Sequence, residues 1–407
     1  MPHPYVPGER FVSPARPAGR PVSGTATAAT PARIAVLASF SGEGGVERMV
    51  MNLVQEFARR EIAVDLLTIR AASAHFQGLP ANVRWMPLNA DHALSSIPEL
   101  VRYLRHEPPQ ALLVAKDRAA RAALAARLIS GAPVRVVVRL GTNLLTSMAG
   151  KSAIARWLRL APMKFLYRDV DRVIAVSQGV ADDTREVTGL PSSRIEVIRN
   201  PVITAALAKQ AAAPCPHPWL DGPQRQAHPV ILGAGRLGTQ KGFDVLLQAF
   251  AAMSGNHRAR LIILGEGSHR RDLEDLAREL SVADRVLMPG FQSDFYAWLA
   301  RADLFVLSSR WEGSPNVLTE ALALGIPSVS TDCPSGPREI LDEGRYGPLV
   351  PVDDVNQLRR AMEQTLEAPR RADELKKAVA EYTAETSAER YLHALGIAPT
   401  GNRHAAV

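Results

Sequence analysis

The sequence predicts an α/β protein made of two doubly wound domains that face each other across a cleft. Short runs of β-branched residues alternate with amphipathic helical stretches, which is typical of a parallel sheet covered by helices on both faces. The alternation stops in a proline-rich segment at 199–229 and then restarts, which indicates two such domains in tandem. Because open parallel sheets bind ligands beyond the carboxyl ends of their strands, we expect the functional site in the cleft.

Each domain is predicted from repeated strand–helix units. In the first, strands are expected at 33–39, 111–115, 134–139 and 172–176, and helices at 46–60, 117–130 and 178–187. In the second, strands are expected at 230–233, 261–264, 285–288, 304–307 and 328–330, and helices at about 242–254, 268–280, 293–300, 316–324 and 354–367.

These elements and the local composition set the expected domain boundaries. Residues 1–30 are rich in Pro, Gly, Ser, Thr and Ala, which is typical of a disordered tail. The expected order is that tail, a first Rossmann-like domain at 31–199, a linker at 200–229, a second Rossmann-like domain at 230–371, a helix at 372–395 that packs back on the first domain, and a tail at 396–407.

The composition excludes several classes of protein. Of the 407 residues, 46% are hydrophobic and 22% are charged, which argues against wholesale disorder and against a fibrous protein. No stretch of eighteen uninterrupted apolar residues occurs, and the first thirty residues lack the apolar region of a signal peptide, so we expect a cytoplasmic protein. Cys215 and Cys333 are far apart and lack metal-ligand neighbours, which argues against a disulfide framework or a zinc site.

The positive charge is concentrated in the first domain. Residues 31–200 hold 23 lysines and arginines against 15 aspartates and glutamates, whereas the net charge of residues 201–407 is negative. Such asymmetry favours a polyanionic partner for the first half, namely nucleic acid, anionic lipid headgroups or phosphates. A generally arginine-rich composition is the alternative. No aromatic and basic platform or known module supports nucleic acid, so we expect no nucleic-acid partner.

Two glycine-bearing loops are candidates for binding phosphate. Gly44 and Gly45 lie where the first strand turns into a helix, and a helix N-terminus attracts anions. The loop lacks the dinucleotide fingerprint and the Walker lysine, and a plain tight turn is the alternative. In the second domain, Arg236 and Lys241 flank a glycine-bearing loop, where they can together neutralise a diphosphate. Solvated loop charges are the alternative there.

Three glutamates follow predicted strands of the second domain. Glu266 lies between Gly265 and Gly267, where it either contacts a ribose or base or only stabilises the next helix. Glu312 lies in a Gly-Ser-Pro loop, and Glu320 falls about one turn along the helix that follows. Carboxylates accept hydrogen bonds from hydroxyl groups, so this arrangement matches a polyhydroxylated ligand that carries phosphates.

Taken together, these segments resemble the family 4 retaining glycosyltransferases, which have the GT-B fold. The resemblance covers about residues 31–395, and its donor-side motifs are specific as a set. Residues 333–337 are similar to a segment of bacterial members that build lipid-linked and surface glycans. The motifs are Gly-Gly-Val-Glu-Arg at 44–48, Gly235-Arg236 with Lys241-Gly242, Gly265-Glu266-Gly267, Glu312 with Glu320, and residues 332–340.

The resemblance implies a role for each matching residue. Arg236 and Lys241 would hold the donor diphosphate, helped by the Gly44–Gly45 loop and by the amides of Val317 and Leu318. With Glu312, which would contact the transferred sugar, Arg236 and Lys241 are the expected catalytic residues. Glu320 would bind the nucleotide ribose. Family members generally need no bound metal, so neither a metal nor a cofactor is expected, and the sugar would be transferred with retention without an obvious protein nucleophile. The other implied donor-binding residues are Gly44, Gly45, Gly265, Glu266, Gly290, Phe291, Gly313, Ser314, Pro315, Asn316, Val317 and Leu318.

One departure concerns the first domain. Many family members place a histidine near the donor sugar, whereas residues 116–118 read Lys-Asp-Arg and residues 140–143 read Leu-Gly-Thr-Asn. This leaves the acid–base assignment open, with Asp117 either a candidate or an ordinary helix cap. Arg118 and Arg121 are candidates for holding an acceptor phosphate.

The stretch at 150–168 combines basic residues with Trp157 and other apolar residues. It either rests on an anionic membrane at the inner face or forms a helix that covers the sheet, and Pro162 is expected to interrupt it. We therefore expect an enzyme that transfers a sugar from a nucleotide-sugar, with UDP-sugar the expected donor, to a lipid-linked or lipopolysaccharide acceptor. A catalytically silent protein of this fold that binds glycans or partners, and a nucleotide-sugar epimerase, are the alternatives.

Overall fold

The computed structural model describes residues 32–40, 44–69, 76, 78–222, 228–253 and 258–398. It contains two parallel sheets, one of seven strands and one of six, each covered by helices. The predicted α/β class with two doubly wound domains is confirmed. The tail expected at 1–30 and residues 399–407 of the second tail lie outside the described residues.

The first sheet has the strand order β3-β2-β1-β4-β5-β6-β7, and all its described neighbours are parallel. Its strands are β1 (Arg33–Ser39), β2 (Ala63–Ile69), β3 (Val83–Leu88), β4 (Ala111–Ala115), β5 (Arg135–Leu140), β6 (Arg172–Ala175) and β7 (Ile195–Val197). The helices are α1 (Gly45–Arg59), α2 (Ile97–His106), α3 (Asp117–Ser130), α4 (Leu144–Ser147), α5 (Ala153–Leu166), α6 (Gln178–Thr188) and α7 (Ala206–Ala211).

The second sheet has the order β10-β9-β8-β11-β12-β13 and is also parallel. Its strands are β8 (Val230–Ala234), β9 (Arg260–Leu264), β10 (Val286–Gly290), β11 (Leu304–Leu307), β12 (Ser328–Thr331) and β13 (Leu349–Val350). The helices are α8 (Phe243–Ala251), α9 (Arg270–Glu279), α10 (Phe295–Leu299), α11 (Asn316–Ala323), α12 (Pro337–Ile340), α13 (Val355–Glu367), α14 (Ala372–Lys377) and α15 (Ala384–Leu395).

The order of strands places one ligand-binding edge in each sheet. In the first sheet the chain runs from β1 to β2 and β3, and then continues with β4 on the other side of β1. In the second sheet β8 lies between β9 and β11 in the same way. A crevice opens beyond the carboxyl ends of the strands where the order reverses, so the loops after β1, β4, β8 and β11 are positioned to bind ligand.

The central strands are apolar along most of their length because both of their faces are covered. In β4 all five residues, Ala-Leu-Leu-Val-Ala, are buried, and β11 is buried throughout. Near-continuous apolar strands of this kind are typical of parallel sheets. Each sheet is therefore packed between two apolar clusters, which fix the positions of the loops at its edge.

The end of the chain differs from the single helix expected at 372–395. Two helices occur instead, α14 and α15, with Thr383 capping the second by accepting the backbone N–H of Thr386 at 3.1 Å. Leu375 of α14 lies in the core of the second domain, whereas Tyr391 and Leu392 of α15 lie in the core of the first. The chain therefore crosses back between the domains at 378–383.

The segment expected to be a linker at 200–229 packs largely on the second domain. Leu220 is buried in the core of that domain, and Arg301 donates hydrogen bonds to the carbonyls of Ala211 and Ala213. Residues 223–227 lie outside the described part of the chain. The connection between the domains is thus short, and it lies close to Ile203, which pairs with Thr383.

Within the stretch at 150–168, residues Ala153–Leu166 form the continuous helix α5, so the expected interruption at Pro162 is wrong. Ser152 caps this helix by accepting the N–H of Ala155 at 3.3 Å. Within the residues that the structure describes, no helix is both long and apolar enough to pass through a bilayer.

Candidate active site

The loop after β8 is held against its neighbours by glycines. Gly235 has a φ of +152°, and a Cβ there would lie 2.6 Å from Cε of Lys241. Gly242 has a φ of +59°, and a Cβ there would lie 2.2 Å from the carbonyl oxygen of Ser308, which follows β11. Only glycine fits both positions without strain. The loops after β8 and β11 are therefore in backbone contact, with the Lys241 side chain packed along Gly235.

Lys241 and Glu312 form an ion pair at this edge. The Lys241 ammonium donates to Oε1 of Glu312 at 2.6 Å, and the Ser309 hydroxyl donates to the same oxygen at 2.7 Å. Glu312 is 7% exposed, and its Oε2 has no hydrogen-bond partner among the described residues. Arg236 is exposed and makes neither a hydrogen bond nor an ion pair within the described ranges. One cation is thus positioned by a carboxylate, while a second is available to a ligand.

Arg310 anchors the loop that carries Glu312. Its guanidinium donates two hydrogen bonds to Asp244, at 3.0 and 2.6 Å, and one to Asp353 at 2.8 Å. Burial opposes ionisation of Asp244, but the hydrogen bonds and the charge of Arg310, together with backbone hydrogen bonds, outweigh it and lower the pKa of Asp244. A bidentate pair of this kind fixes orientation as well as distance. Arg310 therefore supports the loop and is not available to a ligand.

Cys333 lies beside Glu312 but is not a candidate nucleophile. Burial, with the nearby Glu312 carboxylate, raises the pKa of the Cys333 thiol to about 12. The thiol is therefore protonated at neutral pH, and only the thiolate is a good nucleophile.

The N-terminus of α11 faces the first domain. A Cβ on Gly313 would lie 2.1 Å from the carbonyl oxygen of Gly141, which follows β5. The Leu318 N–H donates to the Pro315 carbonyl at 3.1 Å, so of the two expected diphosphate-binding amides it is already used. The Val317 N–H has no backbone acceptor among the described residues. Ser314 and Asn316 are half-buried in the same turn.

A chain of hydrogen bonds connects α11 to the first domain. Asn316 donates to the carbonyl of Gly45 at 3.2 Å and accepts from the Asn200 amide at 2.7 Å. Asn200 in turn accepts from Arg139 at 2.7 Å. Arg139 is buried, and desolvation lowers its pKa. The glycine loop at 44–45 is therefore held next to the start of α11, as the expected diphosphate site requires.

Glu320 is held by groups from both domains. Arg48 of α1 donates to its Oε1 at 3.3 Å, and the Tyr296 hydroxyl donates to the same oxygen at 3.0 Å. Glu320 is 2% exposed, and its Oε2 is buried without a hydrogen-bond partner in the described part of the chain. An unpaired buried carboxylate oxygen is costly, so Oε2 is a ready acceptor for a ligand hydroxyl.

The end of β10 lies beside Glu266. This carboxylate is more than half exposed and accepts from Arg270 at 2.7 Å. Arg270 also donates to the carbonyl of Met288. Gly290 has a φ of +88°, and a Cβ there would lie 2.6 Å from Oε1 of Glu266. Gly265 and Phe291 lie at the same edge, and the Phe291 ring is half exposed. An open apolar face next to hydrogen-bonding groups is suited to a planar base.

The acceptor-side residues of the first domain divide into two groups. Asp117 is buried and binds Arg159, Arg121 and the Tyr167 hydroxyl, so its carboxylate joins α3 to α5. Arg121 is thus paired inside the domain, whereas Arg118 is exposed.

Lys116, in the first of the two segments that lack a histidine, has a φ of +78° although it is not glycine. Its ammonium donates to the Ser39 carbonyl at 2.8 Å and to Glu47 at 3.0 Å. It therefore links β4 to the two sides of the glycine loop.

Helix α5 exposes apolar side chains next to basic ones. Ile154, Trp157, Leu158 and Phe165 are each between 60 and 73% exposed. Lys151, Arg156, Lys164 and Arg168 are also exposed, and no acidic residue occurs at 150–168. Met163 of the same helix is buried, and Leu160 and Leu166 pack against the core of the first domain. The helix therefore covers the sheet with one face and exposes the other.

The sequence did not indicate several of these contacts. Arg48, Tyr296, Asn200 and Arg139 bind groups that lie between 24 and 272 positions away along the chain. Of these four residues, Arg48 could have been identified from the sequence, because it is the last residue of the Gly-Gly-Val-Glu-Arg segment that resembles the family. Over the described ranges, the structure brings together no group of three His, Cys, Asp or Glu side chains that could hold a metal ion.

Two family models match the chain and together span most of it. The model described as Glycosyltransferase Family 4 matches residues 43–206, and the model described as Glycosyl transferases group 1 matches residues 222–385. The chain belongs to the family 4 glycosyltransferases. The first match covers strands β2 to β7 of the first sheet, and the second match covers all six strands of the second sheet.

Relatives of this family are similar over much of the chain. A lipopolysaccharide core biosynthesis glycosyltransferase of Rhizobium meliloti is 28% identical over 80% of this chain and 86% of its own length. An N-acetylgalactosaminyltransferase of Campylobacter jejuni that acts on a diphospho-undecaprenol-linked sugar is 29% identical over 53% of this chain and 55% of its own. A lipopolysaccharide 1,6-galactosyltransferase of Escherichia coli is 32% identical over 46% and 49%.

Solved glycosyltransferase structures share the GT-B fold of this chain. The apo form of the lipopolysaccharide outer core galactosyltransferase WaaB has a TM-score of 0.67 at 21% identity and covers 89% of this chain and 99% of its own. Anabaena HepE in complex with UDP and glucose has a TM-score of 0.72 at 18% identity and covers 90% and 99%.

Proposed function

We propose that this glycosyltransferase moves a sugar, with retention, from a UDP-sugar to a lipid-linked or lipopolysaccharide glycan at an anionic membrane. The observation that carries the donor side is the Lys241–Glu312 pair on the loop of Arg236, which is exposed and has no ion-pair partner among the described residues. Structures of Anabaena HepE contain UDP, UDP with glucose, or UDP-glucose, which supports a UDP-sugar. The names of the bacterial relatives support the acceptor class.

The proposed donor site assigns the leaving diphosphate to two cations and one amide. Lys241, Arg236 and the Val317 N–H lie on loops or turns that follow β8 and β11. As the bond to the sugar breaks, negative charge grows on the diphosphate, and preorganised cations stabilise it. We propose that these groups remove the need for a metal ion.

The two glutamates divide the hydroxyl groups of the donor between them. Glu312 uses Oε1 to hold Lys241, which leaves Oε2 for a hydroxyl of the transferred sugar. Glu320 uses Oε1 to bind Arg48 and Tyr296, which leaves Oε2 for the ribose. Attack by the acceptor on the face that the diphosphate leaves would give retention without a protein nucleophile.

We expect UDP to stabilise the protein when EDTA is present. Binding to the native state raises its free energy of unfolding by mass action, by about 2.7 kcal/mol at a hundredfold excess over Kd. Thermal unfolding with UDP, GDP, ADP and dTDP, with and without EDTA, measures this. A stabilisation that EDTA abolishes would contradict metal independence. If no nucleotide stabilises the protein, the result favours the alternative of a catalytically silent binding protein.

Analysis of the products distinguishes sugar transfer from the alternative of a nucleotide-sugar epimerase. A retaining transferase forms a new glycosidic bond with the configuration of the donor at the anomeric carbon, which proton NMR of the product reports. An altered free nucleotide-sugar without transfer would instead identify an epimerase, and an inverted product would contradict retention.

The proposed membrane contact rests on α5. Its exposed apolar side chains include Trp157. The stretch at 150–168 also contains exposed basic residues and no acidic residue. Such a helix lies in the interface with its apolar side chains buried among headgroups, and cations attract anionic lipid. Charge and apolar surface together therefore favour an anionic bilayer.

Replacing Trp157 and Leu158 with serine is expected to lower binding to vesicles containing phosphatidylglycerol about tenfold or more, since two large apolar side chains leave the interface. Sedimentation with these vesicles measures the loss, and vesicles of phosphatidylcholine alone should bind the wild type weakly. The matched control replaces Leu128 and Ile129, which are 75 and 54% exposed on α3. Equal loss in both variants would contradict a contact specific to α5.

A further inference from the structure

The contact between Arg48 and Glu320 joins the two domains at the predicted ribose site. Arg48 lies in the first turn of α1, and Glu320 lies in α11, 272 positions later in the sequence. The Arg48 side chain is one-third exposed, whereas that of Glu320 is almost fully buried. The second domain therefore contributes the buried carboxylate, and the first domain contributes the arginine that pairs with it.

Two aromatic side chains of α10 define where the cation lies. The Arg48 guanidinium carbon is 5.7 Å from the ring centroid of Phe295 and 5.7 Å from that of Tyr296. Arg48 also donates to the Tyr296 hydroxyl at 3.4 Å. An arginine near aromatic rings gains cation–π attraction in addition to its ion pair. The guanidinium is thus held by α10 and α11 of the second domain together.

The charges of these groups reinforce one another. Attraction to Glu320 raises the pKa of Arg48. Burial, then the charge of Glu320, raises the pKa of Tyr296, so its hydroxyl stays protonated and donates. Arg48 and Tyr296 both donate to Oε1 of Glu320. With Oε1 fixed by two donors, the orientation of the carboxylate is set, and Oε2 is left buried without a hydrogen-bond partner among the residues that the structure describes.

We propose that Arg48 is a positioning residue that completes the ribose-binding carboxylate across the cleft. The proposal rests on the proposed function, and it adds that the ribose site is complete only when both domains are together. Without Arg48, the buried Glu320 carboxylate accepts a hydrogen bond from the Tyr296 hydroxyl alone. The carboxylate is then free to turn away from the ligand. With Arg48 in place, Oε2 is presented to the two ribose hydroxyls.

The test compares UDP with 2′,3′-dideoxy-UDP, which lacks both ribose hydroxyls. Calorimetry gives the dissociation constant of each nucleotide for the wild type, for Arg48→Ala and for Tyr296→Phe. We expect the wild type to prefer UDP by about tenfold or more, since a hydrogen bond to a charged group is lost without the hydroxyls. In Arg48→Ala the preference should shrink to about threefold or less, with UDP binding weakened. Tyr296→Phe should reduce it by a smaller factor.

The matched control is Arg102→Ala, which removes an exposed arginine of the first domain that pairs with Glu99. It should keep the preference of the wild type. If Arg48→Ala weakens both nucleotides equally, Arg48 does not act through the ribose, and the inference is overturned while the proposed function stands. If the wild type binds no uridine nucleotide, both fail together. Unfolding temperatures of the variants within a few degrees of the wild type show that any loss is not misfolding.

Discussion

Replacing Lys241 with methionine is expected to lower kcat/KM for transfer by about 10³-fold, or about 4 kcal/mol of transition-state stabilisation. The methionine keeps an unbranched side chain against Gly235 but removes the charge that faces the leaving diphosphate. Affinity for UDP should also fall, because the diphosphate is bound in the ground state as well. Steady-state kinetics with a sugar donor, alongside calorimetry with UDP, measure the two losses.

The control for this variant is Lys376→Met, which removes an exposed lysine on α14 of the same domain. It should be as active as the wild type. Near-normal turnover by Lys241→Met would overturn the assignment of the diphosphate site. A large fall in unfolding temperature would instead show that the ion pair with the buried Glu312 is mainly structural.

The variant Glu312→Gln should lower kcat by about 10²- to 10³-fold while changing the affinity for UDP by about twofold or less. The amide preserves the shape of the side chain and can still accept from Lys241 and Ser309. The negative charge beside the transferred sugar is lost, and that sugar gains positive character as the diphosphate departs. The separation between turnover and nucleotide affinity is therefore the diagnostic result.

An exposed glutamate on α9 supplies the control, and Glu279→Gln should have wild-type kinetics. An equal loss of UDP affinity and turnover in Glu312→Gln would mean that this residue acts only by holding Lys241. Unchanged turnover would remove Glu312 from the site.

Much of the fold could be predicted because its central strands are continuous apolar runs with helices between them. The strands β1, β4 and β8 begin where they were expected and end within one residue of the expected position. Of the four edge strands, β10 was expected, whereas β3, β7 and β13 were missed for physical reasons. β3 has buried residues only at its two ends, Val83 and Leu88, and contains Pro87, while β7 and β13 have only three and two residues. β2 was also missed, although it is almost entirely buried.

Some residues of the candidate site could likewise be predicted from the sequence, and others could not. The donor-side loops carry local signals, since glycines, cations and glutamates lie within a few residues of strand ends. The contacts of Arg48 and Asn316 depend on how two domains meet, and no local pattern encodes that orientation. The strained backbone of Lys116 was likewise not visible in the sequence, because its positive φ is a property of the folded loop.

The location of α15 means that the core of the first domain is completed only late in synthesis. Tyr391, Leu392 and Leu395 close the apolar core of the first domain, although they are among the last residues of the described chain. During synthesis, residues 32–198 can form their sheet early, but that core lacks one of its covering helices until the ribosome has passed residue 395. A hybrid enzyme that exchanges halves at residue 200 must therefore take 384–395 from the same parent as its first half.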